Sequence, residues 1–331
     1  MTSINRVSGR VLGAGDRAVS AITSSASSVG YRAGWGLSQH LPEPWVTRAF
    51  EVMADRAARG GGRGVHQLRA NLARARPDLD DGELADLTGE GMRSYLRYWR
   101  EAFRLPQWST AEIRARLVVS NPERLLDPLA SGQGVVAVLG HFGNWDHAGA
   151  WVTTQGVRFT TVAERLRPDS LNDRFVAYRE SLGMEVVPLT GGPDVTGILA
   201  NRLQAGGLVA LLADRDLGGA GLEVDLLGEP ARLPAGPAML ALRTGSILLP
   251  TVSWYDRTHT RLDFLAPLTT SAPRLRDGVK DLTQQWAAIV GDTARHHARD
   301  WHMLQPVWSA DRPAKDPATG PAKGPAGGGA R

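Results

Sequence analysis

Apolar positions recur along this chain in two rhythms, and the change between them falls at Pro106. From Gly30 to about Arg76 the spacing is helical. Trp45, Ala49, Val52 and Met53 share one face, while Arg48, Glu51, Asp55 and Arg56 lie elsewhere. Pro42 and Pro44 suit the start of that helix. Residues 78–105 predict two further helical stretches. The second, 91–105, carries the aromatic stripe Tyr95, Tyr98, Trp99 and Phe103, which reads as core. Beyond Pro106, short apolar runs predict strands at 134–139, 158–163, 184–189, 208–213, 222–227, 247–254 and 261–268. Helical spacing fills gaps at 168–182, 194–204 and 234–244, and a last helix spans 278–299 before a short aromatic segment. Strands separated by helices predict an α/β fold: a largely parallel central sheet flanked by helices, with amphipathic helices at the N-terminal end.

Composition adds boundaries. The 331 residues suit one domain of roughly 250–300 residues or two small ones. Residues 1–30, rich in Ser, Gly and Ala, read as a mobile N-terminus. Residues 31–110 read as a helical docking region continuous with an α/β core at 111–310. The Pro/Ala/Gly tail at 311–331 has almost nothing to bury and reads as disordered. With no cysteine, disulfides, thiolate metal sites and a cysteine nucleophile are excluded.

Net charge is only +4, but residues 1–76 hold eleven Arg against Asp16, Glu43, Glu51 and Asp55. That excess suits an anionic partner, a phospholipid surface or nucleic acid. It also follows from a general preference for Arg, since Lys occurs only at 280, 315 and 323. No nucleic-acid recognition motif accompanies the charge, so nucleic acid is not expected as a partner. No run of about 20 apolar residues is present to span a bilayer, and no secretory signal is apparent. Contact with a membrane would therefore be peripheral, with Trp35, Trp45 and Phe50 as anchors. Packing of the same helix on the core is the simpler reading of its apolar face.

The candidate chemistry lies at strand ends. Residues 134–146 read Gly-Val-Val-Ala-Val-Leu-Gly-His-Phe-Gly-Asn-Trp-Asp: a strand, then Gly140 and His141, then a loop opening a helix. Functional groups of open α/β sheets gather at the carboxyl ends of strands. A carboxylate on one imidazole nitrogen fixes the tautomer and makes the other nitrogen a better base. Asp146 follows His141 by five positions and is one candidate for that carboxylate. Asp214, after the strand at 208–213, is another if the two strands are parallel neighbours. Alternatively, Asp214 or Asp216 caps a turn and pairs with Arg215. Arg165, Arg179 and Arg215 suit a cationic rim for substrate phosphates.

The segment His141-Phe-Gly-Asn-Trp-Asp146 resembles the His-x4-Asp/Glu signature of the lysophospholipid acyltransferase superfamily, in the branch of the lipid A late acyltransferases. Within that branch the chain is most similar to the actinobacterial phosphatidylinositol mannoside acyltransferases. The likeness covers residues 27–310, through blocks at 31–35, 95–106, 160–166, 178–183, 188–192, 233–237 and 300–306. It implies transfer of a long acyl chain, palmitoyl, from acyl-CoA to position 6 of a mannose of phosphatidylinositol mannosides. It implies His141 as general base supported by Asp146, and places Glu164, Arg179 and Asp214 in the site. The family usually has Glu where this chain has Asp214, which leaves open a direct or a water-mediated contact with His141.

The expected catalytic residues are therefore His141, Asp146 and Asp214, and the expected substrate-binding residues are Asn144, Glu164, Arg165, Arg179 and Arg215. Acyl-CoA would be a co-substrate, with no metal and no resident cofactor. The mannosylated acceptor would be met at the cytoplasmic face of the cell membrane. Acylation of another membrane glycolipid and non-catalytic lipid binding on the same fold are the alternatives. A metal hydrolase using His147 or the His296-His297 pair is disfavoured, because His147 faces away from His141 on the helix.

Overall fold

The computed structural model describes residues 40–163, 169–189, 194–216 and 219–312. Helices α1 (Glu43–Gly60), α2 (Arg63–Ala75) and α3 (Asp81–Arg104) form the N-terminal part of the described chain. Pro44 sits in the first turn of α1, which ends at Gly61 in the left-handed conformation. A capping box opens α3, Asp80 accepting from the Glu83 N–H at 2.9 Å and Glu83 from the Asp80 N–H at 3.0 Å. Where the spacing predicted two helices, α3 runs unbroken for 24 residues. Gly89 and Gly91 weaken its middle by propensity. Gly91, however, is where α2 presses closest, a Cβ there lying 3.3 Å from Leu68 and 3.6 Å from Leu72. Packing overrides propensity at that point.

The α1 helix resolves the two readings of its apolar face. Val46 and Ala54 are buried, and Phe50 meets Phe103 of α3 with ring centres 6.2 Å apart. Trp45, Ala49, Val52 and Met53 point the other way and are exposed among the described residues, Trp45 by 75%. Trp35 lies outside the described residues.

The core is a seven-stranded sheet in the order β1-β9-β8-β2-β5-β3-β4. Its strands are β1 (Leu117–Ser120), β2 (Val135–Leu139), β3 (Phe159–Ala163), β4 (Met184–Pro188), β5 (Leu208–Leu212), β8 (Ile247–Tyr255) and β9 (Thr260–Phe264). β8, β2, β5, β3 and β4 are parallel, while β9 returns antiparallel to β8. A strand buried on both faces needs no alternation. β2 therefore reads Val-Val-Ala-Val-Leu, with Val136 and Val138 in one core and Val135, Ala137 and Leu139 in the other.

Helices α6 (Trp145–Thr154), α7 (Asp169–Ser181), α8 (Val195–Gln204), α9 (Gly236–Thr244) and α10 (Leu275–His296) complete the α/β layers. Short elements that the spacing did not predict are β1, α4 (Thr110–Ala115) and α5 (Glu123–Ala130). At four to eight residues they carry too little periodicity to register.

The strand predicted at 222–227 forms β6 (Leu222–Leu226), outside the central sheet. It pairs antiparallel with β7 (Glu229–Leu233) across Leu227-Gly228, both at positive φ. Position 311, expected to open the tail, is held against the core. Asp311 accepts from both terminal nitrogens of Arg74 at 2.7 and 2.8 Å, and Trp308 donates its indole N–H to the Leu226 carbonyl at 3.0 Å.

Candidate active site

Strand register brings the central pair together. β2 and β5 are parallel neighbours with Leu139 opposite Leu212, so residues two beyond each, His141 and Asp214, emerge side by side at the carboxyl edge. His141 Nδ1 lies 2.5 Å from Asp214 Oδ1, and the His141 backbone N–H donates to Oδ2 at 2.8 Å. The contact is direct, although Asp is one methylene shorter than Glu.

Two glycines permit this turn. A Cβ on Gly140 would lie 2.8 Å from the Phe142 ring and 3.2 Å from Asp214 Oδ2. Gly143, at φ +55, would drive a Cβ to 2.9 Å from the Trp254 nitrogen.

Asp214 is fully buried, and His141 keeps 17% of its side chain exposed. Burial pushes the Asp214 carboxyl up. The His141 charge, the two His141 hydrogen bonds and a Trp301 indole N–H at 3.1 Å outweigh it, and the carboxyl ends below its ordinary value. An ionised carboxylate only accepts, so Nδ1 is the donor in this contact.

Asp146 does not partner His141. It sits in the first turn of α6, and that helix carries its side chain away from the β2 end. Its carboxylate accepts from Arg179 Nε of α7 at 2.9 Å and from the Tyr98 hydroxyl of α3 at 2.8 Å, and it is almost fully buried. Arg179 is buried too, with its guanidinium 4.5 Å from the Phe175 ring centre. It is therefore no part of an exposed cationic rim. Burial alone would lower its pKa, but the Asp146 charge reverses this and Arg179 ends above its ordinary value.

Asn144, expected at the substrate, is fully buried. It caps α6 by accepting from the His147 N–H at 2.9 Å and donates to Glu101 at 2.9 Å. Arg215 is half-buried next to Asp214, within electrostatic reach of Tyr95. Glu164 and Arg165 lie outside the described residues.

An apolar cavity opens on the α6 side of the sheet. Leu139 and Trp145, which flank His141 in the chain, line it with Ala210, Phe159, Met184 and Phe264, and Asp146 and Arg179 are its charged lining. The Trp145 ring meets His141 edge-on, with centres 5.3 Å apart, and stacks on Tyr98 at 4.0 Å.

A protein-family model, bacterial lipid A biosynthesis acyltransferase, matches residues 19–310. The chain belongs to that family. It is 43% identical over 288 residues to the phosphatidylinositol mannoside acyltransferase of Mycolicibacterium smegmatis, covering 86% of this chain and 92% of that protein. It is 42% identical over 295 residues to the enzyme of the same name from Mycobacterium tuberculosis, covering 88% and 92%.

As an acyltransferase of the lipid A family, the protein presents side chains at this site that sequence reasoning did not single out. Tyr98 belonged to a stripe read as core, which it is, yet its hydroxyl also holds Asp146. Trp301 fell within the family block at 300–306, but nothing local tied it to Asp214, 87 residues away.

Proposed function

We propose that this acyltransferase moves a long-chain acyl group, palmitoyl, from acyl-CoA to the 6-hydroxyl of a mannose of phosphatidylinositol mannosides. The observation that carries the reading is the His141–Asp214 pair beside an apolar cavity. A sugar hydroxyl is a poor nucleophile near neutral pH, and removal of its proton by a positioned base contributes about 10²–10⁴-fold. His141 Nε2 takes that proton as the hydroxyl oxygen attacks the thioester carbon. The imidazolium so formed is stabilised by Asp214, and the thiolate of CoA leaves with a proton. The thioester is already activated, so no acyl-enzyme is required. Arg215, Glu164 and Arg165 serve the polar parts of the substrates in this reading. The relatives named for phosphatidylinositol mannosides support the choice of acceptor.

The acceptor is a lipid, and we place the protein at the cytoplasmic face of the cell membrane. Among the described residues, no helix is long and apolar enough to cross a membrane. The outward Leu41, Trp45, Val52 and Met53 of the α1 region, beside Arg48 and Arg56, suit the interface of an anionic leaflet. The deciding assay mixes purified protein, labelled palmitoyl-CoA and phosphatidylinositol mannosides and analyses the lipid product. A singly acylated mannose at position 6 is expected, lost in H141A. Label released only as free fatty acid would overturn acyl transfer in favour of hydrolysis.

A further inference from the structure

Three buried groups next to the site lie outside the mechanism above: Trp301, His302 and Asp300, in the segment that follows α10. Their backbone is stitched to the loop that carries His141. The His302 N–H donates to the His141 carbonyl at 2.8 Å, the Gly143 N–H donates to the Asp300 carbonyl at 3.0 Å, and Phe142 and Trp301 form an antiparallel bridge. The Trp301 ring lies parallel to the Phe142 ring, 5.7 Å between centres and 9° between planes. Both rings are buried, so the indole has one available orientation. In that orientation its N–H donates to Asp214 Oδ2, the oxygen that also accepts the His141 backbone N–H.

We propose that Trp301 is a positioning residue for acyl transfer: its indole N–H locks the Asp214 carboxylate in the plane that presents Oδ1 to His141 Nδ1. This rests on His141–Asp214 as the reacting pair. A carboxylate with two lone pairs per oxygen and no solvent around it can rotate about its terminal bond unless donors on both oxygens stop it. The two His141 donors belong to one residue and move with it, whereas Trp301 adds a donor on Oδ2 from a second segment, its ring held by packing on Phe142. It also neutralises part of the buried charge. Without it, Asp214 bears more uncompensated charge towards His141, the imidazolium is favoured, and the neutral base forms only at higher pH. Other charged or titratable groups facing the pair are Arg215 and His302, the latter held neutral down to a pKa of about 3 by its burial. His302 does not titrate in the assay range.

Trp301→Phe keeps the ring and removes the N–H. The expected result is a kcat lower by roughly tenfold, with the acid limb of its pH profile moved up by about one unit. KM for acyl-CoA stays unchanged, because Trp301 does not line the cavity. In a D214N background the same substitution adds no further loss. Trp308→Phe is the control for buried indole packing. Its N–H serves the Leu226 carbonyl, so kcat and the acid limb stay as in the wild type. A wild-type pH profile in W301F, or an undiminished loss in the D214N background, overturns the proposal. If W301F does not fold, the Trp301 indole proton resonance of the wild-type protein is followed through the acid limb. A shift with the same midpoint supports the link to the pair, and an invariant resonance overturns it. Activity surviving in H141A would instead sink the reading of the pair itself, while an inactive H141A with an unaltered W301F sinks the role of Trp301 alone.

Discussion

Asp146 binds Arg179, not His141. The two residues named together by the His-x4-Asp signature are separated in role by the start of a helix. His141 stays at the end of β2, whereas Asp146 enters α6 and closes a buried triangle with Arg179 of α7 and Tyr98 of α3. Burial pushes the Tyr98 hydroxyl well above its ordinary value, with the Asp146 charge adding to it, so the hydroxyl stays a donor at any working pH. In the proposed mechanism the motif thus joins a base to a brace. The brace also supplies the charged part of the cavity wall.

Asp146→Ala should therefore act first on stability. Removing one partner of a buried ion pair leaves the other uncompensated, at a cost of about 3–5 kcal/mol. Urea unfolding of D146A beside the wild type measures this. A change under about 1 kcal/mol would contradict a buried Asp146–Arg179 pair, for which exposed ion pairs are the comparison.

Asp214→Asn should act first on rate. The amide offers an N–H where the carboxylate accepts, which favours the wrong imidazole tautomer. Loss of base catalysis of about 10²–10⁴-fold in kcat is expected. KM for acyl-CoA should change little. Comparable kcat in D214N and wild type would remove Asp214 from the chemistry.

His302 predicts how stability depends on pH. Burial, aided by the His141 charge and opposed by Asp214, lowers its pKa from 6.5 to about 3. The unfolded chain gains this proton near pH 6.5 and the folded protein only near 3. The stabilisation from a neutral His302 is therefore complete above about 6.5 and declines as pH falls towards 3, by up to about 1.4 kcal/mol per unit. His302→Gln should remove that slope between pH 6 and 4. Parallel stability curves for the two proteins would show that residue 302 does not titrate this way.

Ala210 lies on the cavity wall between strands β2 and β3. Ala210→Phe should fill space that a long chain needs. Selectivity should move from palmitoyl-CoA towards a ten-carbon donor by at least about tenfold in kcat/KM. An unchanged chain-length profile would place the acyl chain somewhere else.

Trp45 is 75% exposed, so Trp45→Ser leaves folding stability within about 0.5 kcal/mol of wild type. Combined with Met53→Ser, it should weaken sedimentation with anionic phospholipid vesicles about tenfold or more, since each apolar side chain removed forfeits its transfer free energy. Added salt should weaken binding further through Arg48 and Arg56. Equal vesicle binding by the double variant would move the docking surface away from α1.

Much of this was legible from local pattern. The strands predicted at 134–139 and 208–213 agree with β2 and β5 to within one residue at each end. His141 and Asp214 could be placed at their carboxyl ends because periodicity and Gly140 report where an element stops. Spacing predicts two helices where 81–104 forms one, because the contact of Gly91 with Leu68 that holds it together is not a local quantity.

The order of residues was enough to decide the α/β class, the strand ends that hold the chemistry, and the family to which the chain belongs. It left Asp146 and Asp214 as equal claimants for His141, and α1 undecided between core and interface. Those choices fell to packing. Hydrophobic rhythm tells how one segment is buried but not which segment lies next to it, and a buried carboxylate takes whichever donors the neighbouring segments bring. For Asp214 these are His141 and Trp301, 73 and 87 residues away; for Asp146 they are Tyr98 and Arg179, 48 and 33 away.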